Sequence, residues 1–550
     1  MSGSILRYLV GRILRLPPRR HARICVERDI TVPMRDRVVL LGNRHFPAGQ
    51  EKGPVVLMRS PYGRGSLFGL MASLFAEQGL QVVVQSVRGT GGSGGQFNPM
   101  RQERCDGADT VDWVRAQPWF SGHLYTFGPS YLGNAQWAMA SELPEALDGL
   151  ALAVTLSNFH DELHSFGGFT LGGTLSWTQT MVQLIDAKPG KGMARPDPDG
   201  VRKVANHLPL GTMDQAATGR TVAWWQDWVN HDDPQDPWWQ AIDHGGAVAS
   251  LAAPTFMVGG WQDIFLPFQL RDFQVRQAAG REAWLTVGPW SHAAPGAMAE
   301  GLRQAIRAFA ELSAGRTPNA GRDRVRLYVQ GAKKWREYPS WPPPGNQELC
   351  YYLADGGQLA TSAPSALGAA RFVYDPSDPT PSVHGPKVMG GARRRNMRQL
   401  EDRSDAILFT SEPIDQACEV IGPVAVALSV RSEREHGDVY ACLCDVDERG
   451  RSQQVSDGYL RLRPGEPAVD GSGVRRIVIH CWPTAYRFKR GHRFRLIIAG
   501  GAHPRYARNL GTGERAATAT RMVPTHHEVL HGPDHRSALI MATVQGAHAC

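Results

Sequence analysis

Short apolar runs without polar alternation recur between residues 24 and 145, and helix-like stretches separate them. The runs are GPVVLM (53–58), LQVVVQS (80–86) and HLYTFG (123–128), and the stretches between them are LFGLMASLFAEQG (67–79) and GADTVDWVRAQPW (107–119). Strands that helices cover on both faces read as continuous apolar runs of roughly four to eight residues. The pattern therefore predicts an α/β domain built on a parallel sheet.

The chain has 550 residues, which exceeds the size of a single hydrophobic core and predicts about two to four domains. After residue 150 a tryptophan-rich helical segment interrupts the α/β pattern, and the runs APTFMVGGW and EAWLTVGPW then resume it. Beyond residue 318, short β-rich runs broken by proline and glycine are typical of a β-sandwich or jelly roll. We predict the first part of the α/β domain at 1–150, an inserted helical cap at 151–248, the second part at 249–318 and a jelly-roll β-sandwich at 319–550.

Composition excludes several classes of protein. Apolar residues make up 42% and charged residues 20% of the chain, as in ordinary globular proteins. The formal charge is +8, but the basic residues are scattered, so we predict no nucleic-acid partner. Eight cysteines without a C-x-x-C pair, and no signal peptide, predict reduced thiols in a cytoplasmic protein. The sequence leaves association into a homo-oligomer open.

No metal and no organic cofactor is predicted. The sequence contains no H-E-x-x-H, no phosphate-binding loop and no regular Cys/His spacing. His526, His527 and His531 form only a loose cluster, which we interpret as structural. GTGGSG (89–94) matches G-x-G-x-x-G, with Asp109 at the spacing of a dinucleotide fingerprint, but no helix follows it. A tight turn that needs positive φ angles is the better interpretation.

The N-terminal stretch ILRYLVGRILRLPPRR (5–20) has the pattern of an amphipathic helix. Its apolar residues at 5, 6, 9, 10, 13 and 14 form a stripe, and Arg7, Arg12 and Arg15 break any continuous apolar run. Such a segment is too short and too charged to span a bilayer or to act as a signal sequence, so we predict no stable membrane insertion. It either docks onto the body of the protein or lies on a membrane surface.

The stretch YTFGPSYLGN (125–134) is close to the serine-hydrolase elbow G-x-S-x-G, but its second glycine, Gly133, comes one residue late. A strand candidate precedes Ser130 and a helix candidate follows it, which is the context of a nucleophile elbow. Gly128, Gly133 and Ala135 are small enough to let the strand and the helix approach each other. An ordinary strand-to-helix loop that contains a serine is the alternative.

A serine nucleophile needs a base, and the base is normally a histidine that a carboxylate orients. Asp263 in VGGWQDIF follows one of the two resumed strands, and His292 in VGPWSH follows the other. The order serine, acid, histidine is that of α/β-hydrolases, and strand carboxyl ends are where open α/β sheets bind ligands. Asp263 taken alone reads as a capping carboxylate and His292 as a loop histidine, but the three together predict a catalytic triad.

Two groups are candidates for the oxyanion hole. The backbone N–H of Tyr131 follows the serine directly, and Tyr62 in LMRSPYG follows an early strand, where the second donor of such sites lies. A packed loop tyrosine is the alternative for Tyr62.

Together these motifs resemble the cocaine esterase and X-prolyl dipeptidyl aminopeptidase family of serine hydrolases (the CocE/NonD type). The likeness spans VPMRD, RSPYG, VRGTGGSGG, QPWFSG, GPSYLG, GGWQDIF and GPWSH, and then WPPP, RSDAILFTSEP, GHRFRL and ARNLGTG in the β-rich part. The family writes its elbow G-x-S-Y-x-G, with the late glycine. Ser86 is a departure, because relatives often carry aspartate there, and it bears only on local loop packing.

The resemblance implies an α/β-hydrolase domain with an inserted helical cap and a C-terminal jelly roll. It assigns the nucleophile to Ser130, the orienting acid to Asp263 and the base to His292, and it places Tyr62 with the Tyr131 amide in the oxyanion hole. We therefore predict hydrolysis of a small-molecule ester or amide through an acyl-enzyme. The alternatives are an acyltransferase with the same triad, an X-Pro or aminoacyl peptidase, and a non-catalytic binding protein.

The pocket prediction concerns the acyl group of the substrate. Phe169, Trp177, Trp261 and Phe265 are the predicted lining, which suits a bulky uncharged acyl group. Relatives that bind a free α-amino group hold it with carboxylates, some of them just after the triad aspartate, whereas Ile264 and Phe265 follow Asp263 here. Asp161 and Glu162 in the cap are the remaining candidates for such carboxylates, with solvated surface charges as the alternative.

Overall fold

The computed structural model describes residues 3–187, 198–386, 388 and 397–544. Ten strands form one sheet, in the spatial order β1-β2-β4-β3-β5-β6-β7-β8-β9-β10. Their bounds are β1 Ile24–Pro33, β2 Val39–Pro47, β3 Gly53–Ser60, β4 Gln81–Ser86, β5 Phe120–Pro129, β6 Gly149–Ala153, β7 Thr255–Gln262, β8 Ala283–Ser291, β9 Val325–Val329 and β10 Lys334–Tyr338. Strands β3 to β9 run parallel, and β1, β2 and β10 complete the sheet in antiparallel pairs.

Helices cover both faces of this sheet. Their bounds are α1 Gly3–Ile13, α2 Ser66–Ala76, α3 Glu103–Arg115, α4 Tyr131–Glu142, α5 His160–Leu163, α6 Leu171–Asp186, α7 Pro198–Val204, α8 Met213–Thr218, α9 Ala223–Asn230, α10 Gly245–Ser250, α11 Leu266–Ala278 and α12 Pro295–Leu312. Along β3, Val56 and Met58 belong to one core, and Val55 and Leu57 belong to the core on the opposite face. The continuous apolar runs of the sequence arise because both faces are buried.

The segment between β6 and β7 is helical and forms a cap over one face of the sheet. It contains α5 to α10, and its tryptophans Trp225 and Trp228 are fully buried in the same core as Phe75 of α2. Large indole side chains thus connect the cap to the α/β domain by apolar packing.

Two predicted domain boundaries fall close to strands of the first sheet. β6 lies across the predicted boundary at 150, so the insertion begins only after this strand. Beyond the predicted boundary at 318, β9 pairs in parallel with β8 and β10 pairs with β9, so both strands belong to the first sheet. The sequence pattern of a β-strand is the same in either sheet, because tertiary contacts determine which strand it pairs with.

The C-terminal part is a β jelly-roll domain of eleven strands. Their bounds, with those of one short helix, are β11 Asn346–Ala354, β12 Gln358–Ala360, β13 Gly368–Tyr374, α13 Arg398–Glu401, β14 Ala406–Ser411, β15 Cys418–Ser432, β16 Gly437–Val446, β17 Ser452–Leu462, β18 Arg475–Phe488, β19 Arg493–Ala499, β20 Thr525–His531 and β21 Ala538–Val544. Alternate residues such as Val426, Leu428 and Ile479 point into a separate core. Gln330, just beyond β9, donates its N–H to the Ala485 carbonyl of β18 at 2.8 Å and so joins the two domains.

Cysteine and histidine contacts correct one expectation of the sequence. Six of the described cysteines carry free thiols, as predicted, whereas Cys418 is disulfide-bonded and departs from the prediction. The His527 ring contacts the Ser432 hydroxyl at 2.9 Å, and His531 contacts Asp355 at 2.9 Å. Within the described ranges, no three histidine, cysteine or acidic side chains are grouped as metal ligands would be.

The G-x-G-x-x-G look-alike forms a turn, as predicted. Gly89, Gly91 and Gly92 have φ angles of 68°, 53° and 90°, which glycine adopts at little cost. Ser86 accepts a 2.7 Å hydrogen bond from the Arg64 guanidinium at this turn.

The N-terminal helix α1 docks onto the body of the protein. Val10 and Leu14 pack against the first core, and the Arg7 guanidinium pairs with the buried Glu77 carboxylate at 2.8 Å. The Arg303 side chain donates to the Leu14 carbonyl at 2.9 Å. None of the helices in the described ranges is long and apolar enough to cross a membrane.

Candidate active site

Ser130 stands between the end of β5 and the start of α4, at a sharp turn of the chain. Its φ of 55° and ψ of −123° are rare for a residue other than glycine. Two bonds hold this conformation: the Ser130 N–H donates to the Ala153 carbonyl at 2.9 Å, and the Ser130 carbonyl accepts from Thr155 Oγ1 at 2.8 Å. A strained serine between strand and helix is the geometry of a nucleophile elbow.

The late glycine of the elbow has a steric reason. A Cβ atom at Gly133 would lie 2.5 Å from the side chain of Thr155, and a Cβ atom at Gly128 would overlap the side chain of Leu132. Glycine at both positions lets α4 start directly against β5 and β6. Leu132, where the usual motif has its second glycine, instead fills the first core.

Asp263, His292 and Ser130 form a continuous hydrogen-bonded chain at the carboxyl edge of the sheet. Asp263 directly follows β7 and His292 directly follows β8, as their positions in the sequence predict. His292 Nδ1 lies 2.7 Å from Asp263 Oδ1, and His292 Nε2 lies 2.8 Å from Ser130 Oγ. A carboxylate only accepts hydrogen bonds, so the Nδ1 proton faces Asp263 and leaves Nε2 free to accept from the serine.

The acid and the base of this chain are shielded from solvent, whereas the serine is accessible. Asp263 is fully buried and His292 is 8% exposed, whereas Ser130 is partly exposed at the turn. The Phe265 ring packs edge-on against the His292 ring at 4.8 Å, and the Phe265 N–H donates to Asp263 Oδ1 at 3.2 Å. Phe265, a predicted lining residue, therefore contacts the histidine and also fixes the carboxylate.

Tyr62 and Trp177 meet at this site. The Trp177 indole N–H donates to the Tyr62 hydroxyl oxygen at 3.0 Å, and the Tyr62 hydroxyl also interacts with the Ser130 hydroxyl. Burial raises the pKa of Tyr62 to about 12 despite these hydrogen bonds, so its hydroxyl keeps its proton at neutral pH. The sequence analysis placed Trp177 only in the lining and gave no signal for this hydrogen bond.

Tyr131 directly follows Ser130 in the chain. It is the first residue of α4, where amide N–H groups have no partner within the helix. Its side chain points elsewhere: the hydroxyl donates to Glu103 at 2.9 Å, and Glu103 pairs with Arg59 at 3.0 Å. This buried network, which the sequence analysis missed, holds the start of α4 in place.

Two of the four predicted lining residues, Trp261 and Phe169, pack away from the Ser130 and His292 side chains. Trp261 donates its indole N–H to the Tyr328 carbonyl at 2.7 Å and packs near Trp341 in the core on the opposite face of the sheet. The prediction for Trp261 is therefore wrong. The Phe169 ring packs edge-on against Trp225 and His164 inside the cap, so its place is the cap interior.

The two cap carboxylates that the sequence offered for a substrate ammonium group have other environments. Asp161 forms an ion pair with Arg271, and its hydrogen bond with His160 together with this ion pair holds the pKa of Asp161 below the usual range. Glu162 is buried, and burial raises its pKa to about 8, so it is mostly protonated at neutral pH. Neither residue presents an unpaired negative charge.

Comparisons with known protein families and with known proteins agree with the two-domain architecture and with a serine-hydrolase site. The X-Pro dipeptidyl-peptidase family (S15) matches residues 36–294, and the X-Pro dipeptidyl-peptidase C-terminal non-catalytic domain matches residues 320–540. The chain is 29% identical over 572 residues to cocaine esterase of Rhodococcus sp. (strain MB1 Bresler), and this alignment covers 94% of this chain and 99% of the esterase.

Two solved structures share the fold. An aminopeptidase from a marine sediment Thaumarchaeota archaeon has a TM-score of 0.79 at 20% identity, and an α-amino acid ester hydrolase has a TM-score of 0.78 at 21% identity. Each comparison covers 95% of this chain and 97% of the other. The fold and the matching domains define an α/β-hydrolase with a C-terminal jelly roll. The chain belongs to the cocaine esterase and X-Pro dipeptidyl-peptidase (S15) family and is a serine hydrolase.

Proposed function

We propose that this enzyme hydrolyses carboxylic esters through an acyl-enzyme on Ser130. The observation that carries the proposal is the chain of two hydrogen bonds, 2.7 Å and 2.8 Å, that links Asp263, His292 and Ser130. A nucleophile, a base within hydrogen-bond reach and a carboxylate that orients the base are the parts that acyl transfer needs.

The chemistry proceeds in two halves. Ser130 Oγ attacks the ester carbonyl carbon while His292 Nε2 takes the hydroxyl proton, and negative charge collects on the carbonyl oxygen. The Tyr62 hydroxyl and the Tyr131 N–H donate hydrogen bonds to that oxygen. The bond to the alcohol then breaks, and the alcohol leaves with the proton from His292. Water repeats the sequence on the acyl-enzyme, which releases the acid and regenerates Ser130.

The acyl group that fits best is bulky, apolar and uncharged. Phe265 and Trp177 supply aromatic surface beside His292 and Tyr62. A desolvated substrate ammonium needs a paired negative charge. Asp161 is already paired with Arg271 and Glu162 is mostly protonated, so neither supports binding of a free α-amino group. This argues against the aminopeptidase alternative, which the name of one structural neighbour suggests, and against aminoacyl esters, which the name of the other suggests.

The direct test is covalent labelling. A fluorophosphonate probe should label the enzyme at Ser130, and Ser130→Ala should abolish both the labelling and ester turnover. Ser141→Ala is the matched control, because Ser141 lies at the far end of α4, where its hydroxyl donates to the Trp137 carbonyl of the same helix. Labelling mapped to another serine, or turnover retained by Ser130→Ala, would refute the assignment.

A further inference from the structure

Helix α1 exposes an apolar face although it is docked on the protein. Its large side chains are exposed by 50% at Ile5, 44% at Leu6, 48% at Tyr8, 43% at Leu9 and 77% at Ile13. Residues four apart lie in a row along a helix, so Ile5, Leu9 and Ile13 form one outward line with Leu6 beside it. An exposed cluster of this kind on a water-soluble surface marks an interaction site.

The other side of the segment is fixed to the enzyme. Val10 and Leu14 pack on the first core, and Arg7 pairs with Glu77. The backbone N–H groups of Arg20 and His21 both donate to the Glu77 carbonyl, at 2.9 Å and 3.0 Å. The apolar face is thus held outward by contacts on the opposite side, and the helix does not have to unfold from the body to offer it.

Positive charge surrounds this face. Residues 1–26 contain six arginines and no aspartate or glutamate. Among the described residues, Arg7 is the one of these six that forms an ion pair. Arg12 is exposed on the helix itself, and the Arg19 guanidinium lies 5.2 Å from the centre of the Tyr8 ring. Arginines flanking an apolar helix face are the arrangement that binds anionic lipid surfaces.

We propose that α1 docks the enzyme onto an anionic phospholipid surface. Ile5, Leu9 and Ile13 enter the region between the lipid headgroups, and Arg12 and Arg19 pair with lipid phosphates. Charge complementarity selects this partner over a second copy of the chain. A symmetric contact through the same face would bring the arginines of two copies close together, without a carboxylate in the segment to offset their charge. The binding is interfacial and reversible, because the helix has eleven residues.

The test is co-sedimentation of the full-length enzyme with large unilamellar vesicles. One set contains phosphatidylcholine alone, and the other contains about 30% phosphatidylglycerol. We expect strong binding to the anionic vesicles, weak binding to the neutral ones, and loss of binding at about 0.5 M salt, where the screening length falls to a few ångströms. Absence of binding to the anionic vesicles would overturn the proposal.

Variants separate the two parts of the surface. Leu9→Glu with Ile13→Glu should lower the vesicle partition coefficient by at least tenfold, and Arg12→Gln with Arg19→Gln should lower it by about fivefold for each arginine removed. Leu367→Glu is the matched control, because Leu367 is 65% exposed in the jelly-roll domain. Ester turnover and the melting temperature report that each variant is folded.

Light scattering in the absence of lipid tests whether a second copy of the chain, instead of a lipid surface, covers the apolar face of α1. The proposal expects the same mass for the wild type and for Leu9→Glu with Ile13→Glu. The lipid proposal is wrong if the wild type is a dimer, the double variant is a monomer, and neither protein binds vesicles. The apolar face would then be the contact between two copies of the chain. Equal vesicle binding by the wild type and both double variants would also refute it.

Discussion

The indole nitrogen of Trp177 lies 3.0 Å from the hydroxyl oxygen of Tyr62 and donates a hydrogen bond to it. An indole N–H cannot accept, so Tyr62 is the acceptor in this bond and its own hydroxyl hydrogen remains available. The Tyr62 hydroxyl makes its other interaction with the Ser130 side chain, beside which the oxyanion would form. Trp177 therefore orients Tyr62 toward the position at which we place the oxyanion.

The hydrogen bond from Trp177 should affect the chemical step. Trp177→Phe removes the donor and keeps an aromatic ring, and we expect kcat to fall roughly fivefold, the scale of one neutral hydrogen bond of about 1 kcal/mol. In a Tyr62→Phe background the same change should alter kcat by less than about twofold, because the hydroxyl it orients is gone. Equal losses of kcat in both backgrounds would mean that Trp177 acts only by packing.

Removal of the Tyr62 hydroxyl should have a larger effect. For Tyr62→Phe we expect kcat to fall on the order of 10²- to 10³-fold, the usual cost of losing one oxyanion donor, with KM changed little. Steady-state kinetics on an activated ester give both constants, and a cooperative melting curve shows that the fold is intact. An unchanged kcat would make Tyr62 a packing residue.

Substrate charge provides the third prediction. Esters of aromatic or medium-chain acids should be hydrolysed with kcat/KM at least about tenfold higher than aminoacyl esters or X-Pro amides of similar size, because the cap carboxylates are paired or protonated. The measurement compares each free aminoacyl substrate with its N-acylated counterpart. A tenfold preference for the free amine would place the enzyme with the aminopeptidases of its family.

The buried Glu162 predicts a pH dependence of stability. Its pKa is raised from 4.5 to about 8, chiefly by burial, so between these values the folded state holds a proton that the unfolded state has lost. The free energy of unfolding therefore falls as pH rises through this window. Glu162→Gln removes that titration and should raise the melting temperature at pH 9 by about 2–4 °C, with little change at pH 4.

The matched control for this variant is Glu145→Gln, because Glu145 is exposed. It should leave the melting temperature unchanged at both pH values. If Glu162→Gln shows the same difference from the wild type at pH 4 and at pH 9, the effect comes from packing and not from titration.

The positions of Ser130, Asp263 and His292 were predictable because each follows a strand that is visible in the sequence. Parallel strands bring their carboxyl ends to one edge, so three distant residues meet without further information. The error at Trp261 has an equally local cause. Side chains alternate along a strand, and Trp261 shares the face of Met257, which packs in the core on the opposite side from the cap. The prediction that Trp261 lines the pocket rested on its proximity to Asp263 in the sequence and did not take this alternation into account.

Other features depend on contacts that no local pattern contains. The hydrogen bond between Trp177 and Tyr62 joins residues 115 positions apart, and an aromatic residue in a cap helix predicts burial but not its partner. The protonated state of Glu162 arises from its burial, whereas its neighbours in the sequence suggested a surface charge. Likewise, the apolar runs of β9 and β10 fit either sheet until their pairing with β8 is known.

The pairing of β9 with β8 limits where this protein can be divided. The matched C-terminal domain begins at residue 320, yet its first two strands complete the sheet of the other domain. A fragment that ends before Val325 would bare the edge of β8, which invites aggregation. The fragment that begins there would in turn carry two strands without a sheet. Recombination, in evolution or by design, is thus expected to tolerate a junction after Tyr338 better than one at the apparent domain border.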